Sequence, residues 1–400
     1  MVPAKLIRDR IDRRGLLALA RALVRIPTEN PPGEEKRAFL FLKPHLRRLG
    51  FRLTRVLSPA GRWNLLAERG FDSPPAKRGA RSRTFLWNGH LDVVPRGDER
   101  AWRHSPFGAE VSRGKLWGRG AADMKGAIAA FLTALDAVVD LAPRSRHRVA
   151  VHLVSDEESL GAEGTGYLTA RGLVRADLAV VGEPTDLLPA VAAKGTLRGR
   201  FHVLGRAAHG AAPHRGVNAI VNAAHLVERL STLKFHAEHP LLGRPTLNVG
   251  LIHGGVRTNM VPASCTIEFD RRIVPGEKPA AVKRALAAVL ADLRRAHPKF
   301  RATIAYDALA LPSEIPEDAE VVRLADDALR QLQGRRPRHI GLIGTTDARY
   351  LIARSGIPSL IFGPGNIAQA HTVDEFVRVE DLERAAAVYA LMLVRFLEGS

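Results

Sequence analysis

Phe85-Leu86-Trp87-Asn88-Gly89-His90-Leu91-Asp92-Val93-Val94-Pro95 and, shortly after it, Gly118-Arg119-Gly120-Ala121-Ala122-Asp123-Met124-Lys125-Gly126 decide how the rest of this chain is read. The first run is a short apolar strand that ends in a histidine and an aspartate two residues apart, so both side chains share one face of an extended segment. A metal-ligand residue type thus stands beside its usual orienting partner. The second run places Asp123 between a glycine-rich turn and Ala127, Ile128, Phe131, Leu132, Leu135, Val138 and Val139, which recur at helical spacing. A carboxylate therefore sits at the mouth of a helix.

Outward from that centre, apolar strands alternate with helices. Gly15 to Ile26 and Glu34 to Leu49 read as helices, Phe51 to Val56 and Trp63 to Glu68 as strands, and the Pro/Gly/Arg-rich stretch Arg69 to Arg83 as a solvated loop. After Phe85 to Asn88 come the helix to Asp140, strand Val149 to Val154, a helical segment Gly164 to Arg171 and strand Leu178 to Val181. This alternation predicts a layered α/β domain with a largely buried sheet. Near Pro189 the style changes: strands Val191 to Leu204, Leu247 to Ile252, Ser264 to Ile273 and Arg301 to Tyr306 accompany two helices, Gly216 to Leu233 (apolar Val217, Ile220, Val221, Ala224) and Pro279 to Arg295. They predict a compact α+β unit, two helices on an antiparallel sheet. Helix Ala319 to Gln333, the turn Gly344-Thr345-Thr346-Asp347, strand Pro358 to Phe362 and helix Val379 to Leu397 resume the first style. The expected division is 1–188 and 311–400 for a discontinuous first domain and 189–310 for a domain inserted into it.

Composition narrows the function. The chain has 400 residues, 46% of them apolar, which is material for two cores. Its formal charge of +19 is spread along the chain without interleaved aromatic residues, so nucleic-acid binding is not expected. Cys265 is the single cysteine, which excludes an intramolecular disulfide and a cysteine-rich metal site. No run reaches the ~18 apolar residues of a membrane span, and Met1 to Arg14 is charged; a soluble cytoplasmic protein is the expectation.

Chemistry emerges where acidic and histidine residues meet the strand ends. Val149 to Val154 runs into Asp156-Glu157-Glu158, Leu178 to Val181 into Gly182-Glu183-Pro184-Thr185, and Pro358 to Phe362 leads on to His371. In open α/β sheets the ligand crevice lies beyond the carboxyl ends of the strands. Two histidines and several carboxylates there form an N/O donor set suited to zinc, cobalt or manganese, and carboxylates can bridge two ions.

The sequence resembles the dinuclear-zinc peptidase and deacylase family that contains acetylornithine deacetylase, succinyl-diaminopimelate desuccinylase, aminoacylase and glutamate carboxypeptidase. The matching motifs are the two runs quoted above, Asp156-Glu157-Glu158, Gly182-Glu183-Pro184-Thr185, Ala208-His209-Gly210 with Pro213-His214, and Ala370-His371-Thr372-Val373-Asp374-Glu375, in the family's order. The resemblance implies an α/β/α zinc-peptidase catalytic domain with an inserted lid and dimerisation domain, and a homodimer formed through that domain is expected. It implies two divalent ions, zinc foremost with cobalt or manganese as alternatives: His90, Asp123 and Glu183 around one, and Asp123, Glu158 and His371 around the other. Asp92 would orient His90. Glu157 would be the general base that takes a proton from the attacking water and passes it to the leaving amine. His209 would donate to the oxyanion, although Gly210 stands where the family frequently has serine. Asn259 and Arg272 would bind the substrate's carboxylate and amide, with Arg271 adjacent on the opposite face of the strand, and Gly344 and Thr345 would contact its tail. A cis peptide bond is implied at Asp123-Met124. The implied activity is hydrolysis of an N-acyl amino acid in the manner of acetylornithine deacetylase or succinyl-diaminopimelate desuccinylase, with a dipeptidase or glutamate-type carboxypeptidase as the alternative and a catalytically silent binding relative behind it.

Overall fold

The structure, a computed structural model, describes residues 2–71, 81–139, 141 and 145–399. Most of the loop expected over Arg69 to Arg83 lies outside them. In chain order the elements are α1 (Ala4–Arg10), α2 (Arg13–Val24), α3 (Lys36–Arg48), β1 (Arg52–Leu57), β2 (Trp63–Phe71), β3 (Thr84–His90), β4 (Glu110–Ser112), β5 (Lys115–Trp117), α4 (Gly126–Val139), β6 (Ser145–Val154), α5 (Thr165–Ala170), β7 (Leu178–Val181) and β8 (Ala190–Ala193). Next come β9 (Gly195–Leu204), α6 (Ala219–Ser231), β10 (Thr246–Gly254), β11 (Ser264–Ile273), α7 (Pro279–Ala296) and β12 (Arg301–Ala310). The chain closes with β13 (Ser313–Glu314), α8 (Glu320–Gln333), β14 (Ile340–Leu342), α9 (Ala348–Ser355), β15 (Ser359–Ile361), β16 (Phe376–Arg378) and α10 (Val379–Glu398). Two compact units result, the first of Met1–Val191, Glu314–Ile340 and Thr346–Ser400, the second of Ala192–Ser313 with Gly341–Thr345.

The first unit is built on a sheet of order β1-β2-β6-β3-β7-β15, continued by β8 and β13, with β14 on β8. β3 is parallel to both β6 and β7, and β15 is parallel to β7, so the carboxyl ends of these four strands open on one edge. Side chains of β3 alternate between two helical layers, as a pleated strand requires. Trp87 stacks on Phe131 of α4 at 4.7 Å and meets Tyr389 of α10 edge-on, whereas Asn88 turns the other way and donates to Thr165 of α5. α4 is buried on nearly every side, which explains why its apolar residues extend beyond one stripe. Glycine at 89 and 182 keeps this packing intact: a Cβ at either would come within 2.9 Å of the Trp87 ring and of Met124 Cε.

The second unit is a four-stranded antiparallel sheet of order β10-β11-β9-β12 with α6 and α7 on one face. Leu197, Phe201, Val203, Ile267 and Phe269 pack there against Leu226, Leu230, Leu286 and Leu290. Cys265 is buried and free. The apolar residues of α6 divide: Asn218 caps the helix, Ala219, Ala223, Leu226 and Leu230 face the core, while Ile220 and Val221 are exposed.

Some elements differ from the sequence reading. α1 forms from a charged segment because Ala4 and Ile7 find a buried face. β4, β5 and β16 make a small sheet, with Phe376 opposite Trp117, from three-residue strands too short to show a period. No helix among the described residues is long and apolar enough to cross a membrane.

Candidate metal centre and active site

The ends of β3, β6 and β7 deliver His90, Glu157, Glu158 and Glu183 to one edge, and the segments after β5 and β15 bring Asp123 and His371 to them. Asp123 lies in a turn over Ala121–Lys125 whose φ/ψ depart from helix at Asp123 and Met124, and the Asp123-Met124 peptide bond is cis. Asp156, just before Glu157, and His371 both take left-handed backbone angles, φ 70 and 64 degrees, a conformation that non-glycine residues keep chiefly where surroundings enforce it.

Asp123 divides its two oxygens between the histidines. Oδ1 lies 3.0 Å from His90 Nε2 and Oδ2 lies 3.6 Å from His371 Nε2. His371 Nε2 is 2.9 Å from Glu158 Oε2, and His90 Nε2 is 3.9 Å from Glu183 Oε1. Ligand atoms of His90, Asp123 and Glu158 all fall within 4.8 Å of one another, as do those of His90, Glu157 and Glu183. The second trio shows that Glu157 stands as close to His90 as a ligand would.

The donor set fits cations. His90 Nδ1 donates to the main-chain oxygen of Asp92 at 2.9 Å, so Nε2 turns toward carboxylate oxygens, a contact that is attractive only with a proton or a metal between them. Glu183 Oε1 is buried and makes no hydrogen bond. Burial and then the Asp123 charge push Glu158 up to about 7 and Glu183 up to about 8; burial and then Glu183 raise Glu157 well above the usual range. Burial also opposes ionisation of Asp123, yet hydrogen bonds from His371 and His90 hold its carboxyl far below normal, and the same Asp123 contact followed by Glu158 lifts His371 to about 10. Such a crowd of buried carboxylates is the signature of a site built around positive charge.

Asp92 behaves differently from the sequence expectation. Its main-chain oxygen, not its carboxylate, takes the His90 ring N–H; the carboxylate oxygen is 3.6 Å from Nδ1. The carboxylate instead accepts the main-chain N–H groups of Glu157 at 3.2 Å and Glu158 at 3.1 Å and the Asn30 side-chain amide at 2.9 Å. Asn30 is backed by Arg62, which also pairs with Glu35 and Asp156.

Other contributors carry no motif of their own. Arg349 Nη1 lies 3.9 Å from Glu157 Oε1 while the guanidinium donates to the carbonyls of Thr346 and Leu160. Asp347, fully buried, accepts from Thr165 Oγ1 at 2.6 Å. Asp347 follows Thr346 directly and Arg349 lies three residues after it, so the Gly344-Thr345-Thr346 turn was the available signal.

The remaining expected residues belong to the second unit. His209 is exposed; its Nδ1 accepts the Ala211 N–H, and it bridges to Met260 beside Asn259. Gly210 donates to the Asn259 carbonyl, and a Cβ there would lie 2.9 Å from that main chain, which accounts for glycine in place of serine. On β11, Arg271 is buried against Phe235 and Glu277, whereas Arg272 is partly exposed and pairs with Asp270. Asn259 is exposed, and Gly344 and Thr345 are half-buried.

A three-layer α/β sheet with an acidic, histidine-bearing edge and an antiparallel second unit defines the class of a metal-binding hydrolase. The family model for peptidase family M20/M25/M40 matches residues 86–395, and the chain belongs to that family. It is 35% identical over 341 residues to an acetylornithine deacetylase of Photorhabdus laumondii, covering 83% of each chain. It is also 35% identical over 407 residues to a succinyl-diaminopimelate desuccinylase of Methylorubrum extorquens, covering 94% of this chain and 97% of the relative. A tripeptidase from Staphylococcus aureus has the same fold, with a TM-score of 0.80 at 22% identity over 97% of this chain and 100% of that one. A dinuclear metal-binding peptidase from Bacillus subtilis matches at a TM-score of 0.72 and 15% identity, covering 98% and 99%. The protein is an enzyme of the amide-hydrolysing kind.

Proposed function

We propose that this enzyme removes the acyl group from an N-acyl amino acid, as an acetylornithine deacetylase or a succinyl-diaminopimelate desuccinylase does, with two divalent ions, zinc foremost. The observation that carries this reading is the division of Asp123, one oxygen toward His90 and the other toward His371. His90, Asp123 and Glu183 would hold one ion and Asp123, Glu158 and His371 the other. Bound there, the ions supply a Lewis acid for the amide carbonyl and lower the cost of ionising the attacking water.

The chain's own residues do the rest. Glu157 takes the proton from the attacking water and returns it to the leaving nitrogen; its burial, and then the charge of Glu183, raise its affinity for that proton. Asp92 keeps Glu157 and Glu158 in register through their main-chain amides. His209 stabilises the developing oxyanion. Arg272 binds the substrate carboxylate as a two-pronged donor, Asn259 its amide, and Gly344 and Thr345 the tail.

The second unit serves as a lid and joins two copies of the chain. β10 is an edge strand, and Leu251, Ile252, Ile220 and Val221 expose apolar surface on it and on the adjoining α6. Unpaired edge and apolar patch together are what a partner strand covers. A panel of N-acetyl, N-succinyl and dipeptide substrates, assayed with and without chelator, tests the reading. Chelator-sensitive cleavage of an N-acyl amino acid is expected. Cleavage of dipeptides alone, or hydrolysis indifferent to chelator, overturns it.

A further inference from the structure

Asp123 can face two directions only if the turn that carries it is held still, and the turn's own main-chain bonds, Ala121 N–H to Gly118 and Lys125 N–H to Gly120, do not engage the N–H groups at its centre. The N–H groups of Ala122 and Asp123 would be buried donors without partners, a costly arrangement. Both donate to one oxygen of Glu375, Oε1, at 2.9 and 3.1 Å. The other oxygen, Oε2, receives Arg119 Nη1 at 2.8 Å, and the Glu375 main-chain oxygen accepts from Gly118 at 2.8 Å. Glu375 and Arg119 are almost wholly buried, and Trp102 lies over the guanidinium at 5.1 Å. Nothing in the acid–base or substrate-binding roles above uses Glu375.

The arrangement repeats across the site. Asp92, two residues beyond His90, clamps the amides of Glu157 and Glu158. Glu375, four residues beyond His371, clamps those of Ala122 and Asp123. Each histidine segment thus contributes a buried carboxylate that fixes the backbone of a carboxylate ligand on another segment. Displacing one segment displaces its counterpart, so the centre is mechanically closed rather than a set of independent donors.

We propose that Glu375, with Arg119 as its counter-ion, is the positioning residue that aims the Asp123 carboxylate at both metal sites. The inference rests on the reading of Asp123 as the shared ligand. Outer residues of this kind set metal affinity by roughly 10- to 100-fold. Because Asp123 serves both sites, loss of the clamp weakens both ions, whereas loss of a terminal ligand weakens mainly one.

Cobalt titration followed by its visible absorption tests this without substrate. Wild-type protein is expected to take up two cobalt ions. Glu375→Ala should bind both about 10-fold or more weakly with an altered spectrum, and Glu375→Gln, which keeps an oxygen acceptor for the two amides, should recover most of the affinity. Arg119→Met leaves the carboxylate in place and should give an intermediate loss, which keeps the test open should Glu375→Ala fail to fold. Phe269→Ala, a core truncation in the second unit, controls for destabilisation alone and should leave the spectrum unchanged. Wild-type affinity and spectrum in Glu375→Ala, or an equal change in Phe269→Ala, overturns the proposal. Wild-type protein that binds two cobalt ions but hydrolyses no N-acyl amino acid would instead sink the functional reading and leave the clamp standing.

Discussion

Arg349 holds its guanidinium 3.9 Å from the Glu157 carboxylate in a pocket where both side chains are buried. Among the ion pairs of the described residues it is the partner of Glu157, whose other charged neighbours are His90 and the carboxylates of Glu183, Asp347 and Glu158. Arg349→Met removes the charge and also orphans the carbonyls of Thr346 and Leu160. Removing one partner of a buried pair costs roughly 3 to 5 kcal/mol. Chemical denaturation should show a loss of that order, together with a lower kcat. A stability within about 0.5 kcal/mol of wild type, the range of ordinary surface changes, would contradict this account of Arg349.

Asp92 separates two roles that sequence alone merges. If it acted only on the His90 ring, Asp92→Asn would be a severe change. Because its carboxylate accepts two main-chain amides while the ring N–H goes to its backbone oxygen, Asp92→Asn should keep part of the clamp and Asp92→Ala should lose it. Metal affinity is expected to fall by about 10- to 100-fold in the alanine variant and several-fold less in the asparagine variant, measured by chelator competition. Equal losses in the two variants would contradict the clamp.

Metal uptake should be steeply pH-dependent. In the metal-free protein Glu158 titrates near 7, Glu183 near 8 and His371 near 10, all raised above their ordinary values. A metal binds the deprotonated forms, so protons must leave. Apparent affinity should therefore rise from pH 6 to 8 as both glutamates ionise, then go on rising toward pH 10 while the histidines, His371 and His90, both raised, remain to be deprotonated. Calorimetry in buffers of different ionisation enthalpy counts the released protons; a flat affinity between pH 6 and 8 would contradict the assignment of these carboxylates.

The apolar edge of the second unit predicts a dimer. Val221→Arg with Ile252→Arg places two charges on surface that is now exposed on α6 and β10. Light scattering should report a dimer for wild type and a monomer for the double variant, with the melting temperature little changed. A wild-type monomer would contradict the assembly.

Strands β3, β6, β7 and β15 of the first unit were legible because each is an apolar run followed within a few residues by glycine or acid, and ligands stand just beyond the first three. β7 and β11 have the bounds that residue pattern suggested. α6 showed its helical period but not its phase, since Ile220 and Val221 sit on an outer face that pattern cannot tell from the core face. The clamps were illegible for a different reason. Glu375 and Asp123 are 252 residues apart, as far as sequence position is concerned unrelated, and a buried carboxylate accepting backbone amides leaves no periodic trace. Asp92 was visible as a neighbour of the His90 ring, from which its carboxylate lies 3.6 Å, but the two main-chain amides it accepts were not, because spacing gives the face of a strand and not which groups a side chain bonds.

Glu157→Ala, assayed for metal content and for hydrolysis of N-acetyl and N-succinyl amino acids in the same preparation, reaches the central claim most directly. Two metal ions per chain with turnover reduced by roughly 100- to 10,000-fold is the predicted result, the scale of a lost general base. Turnover within about tenfold of wild type at full metal content would contradict it.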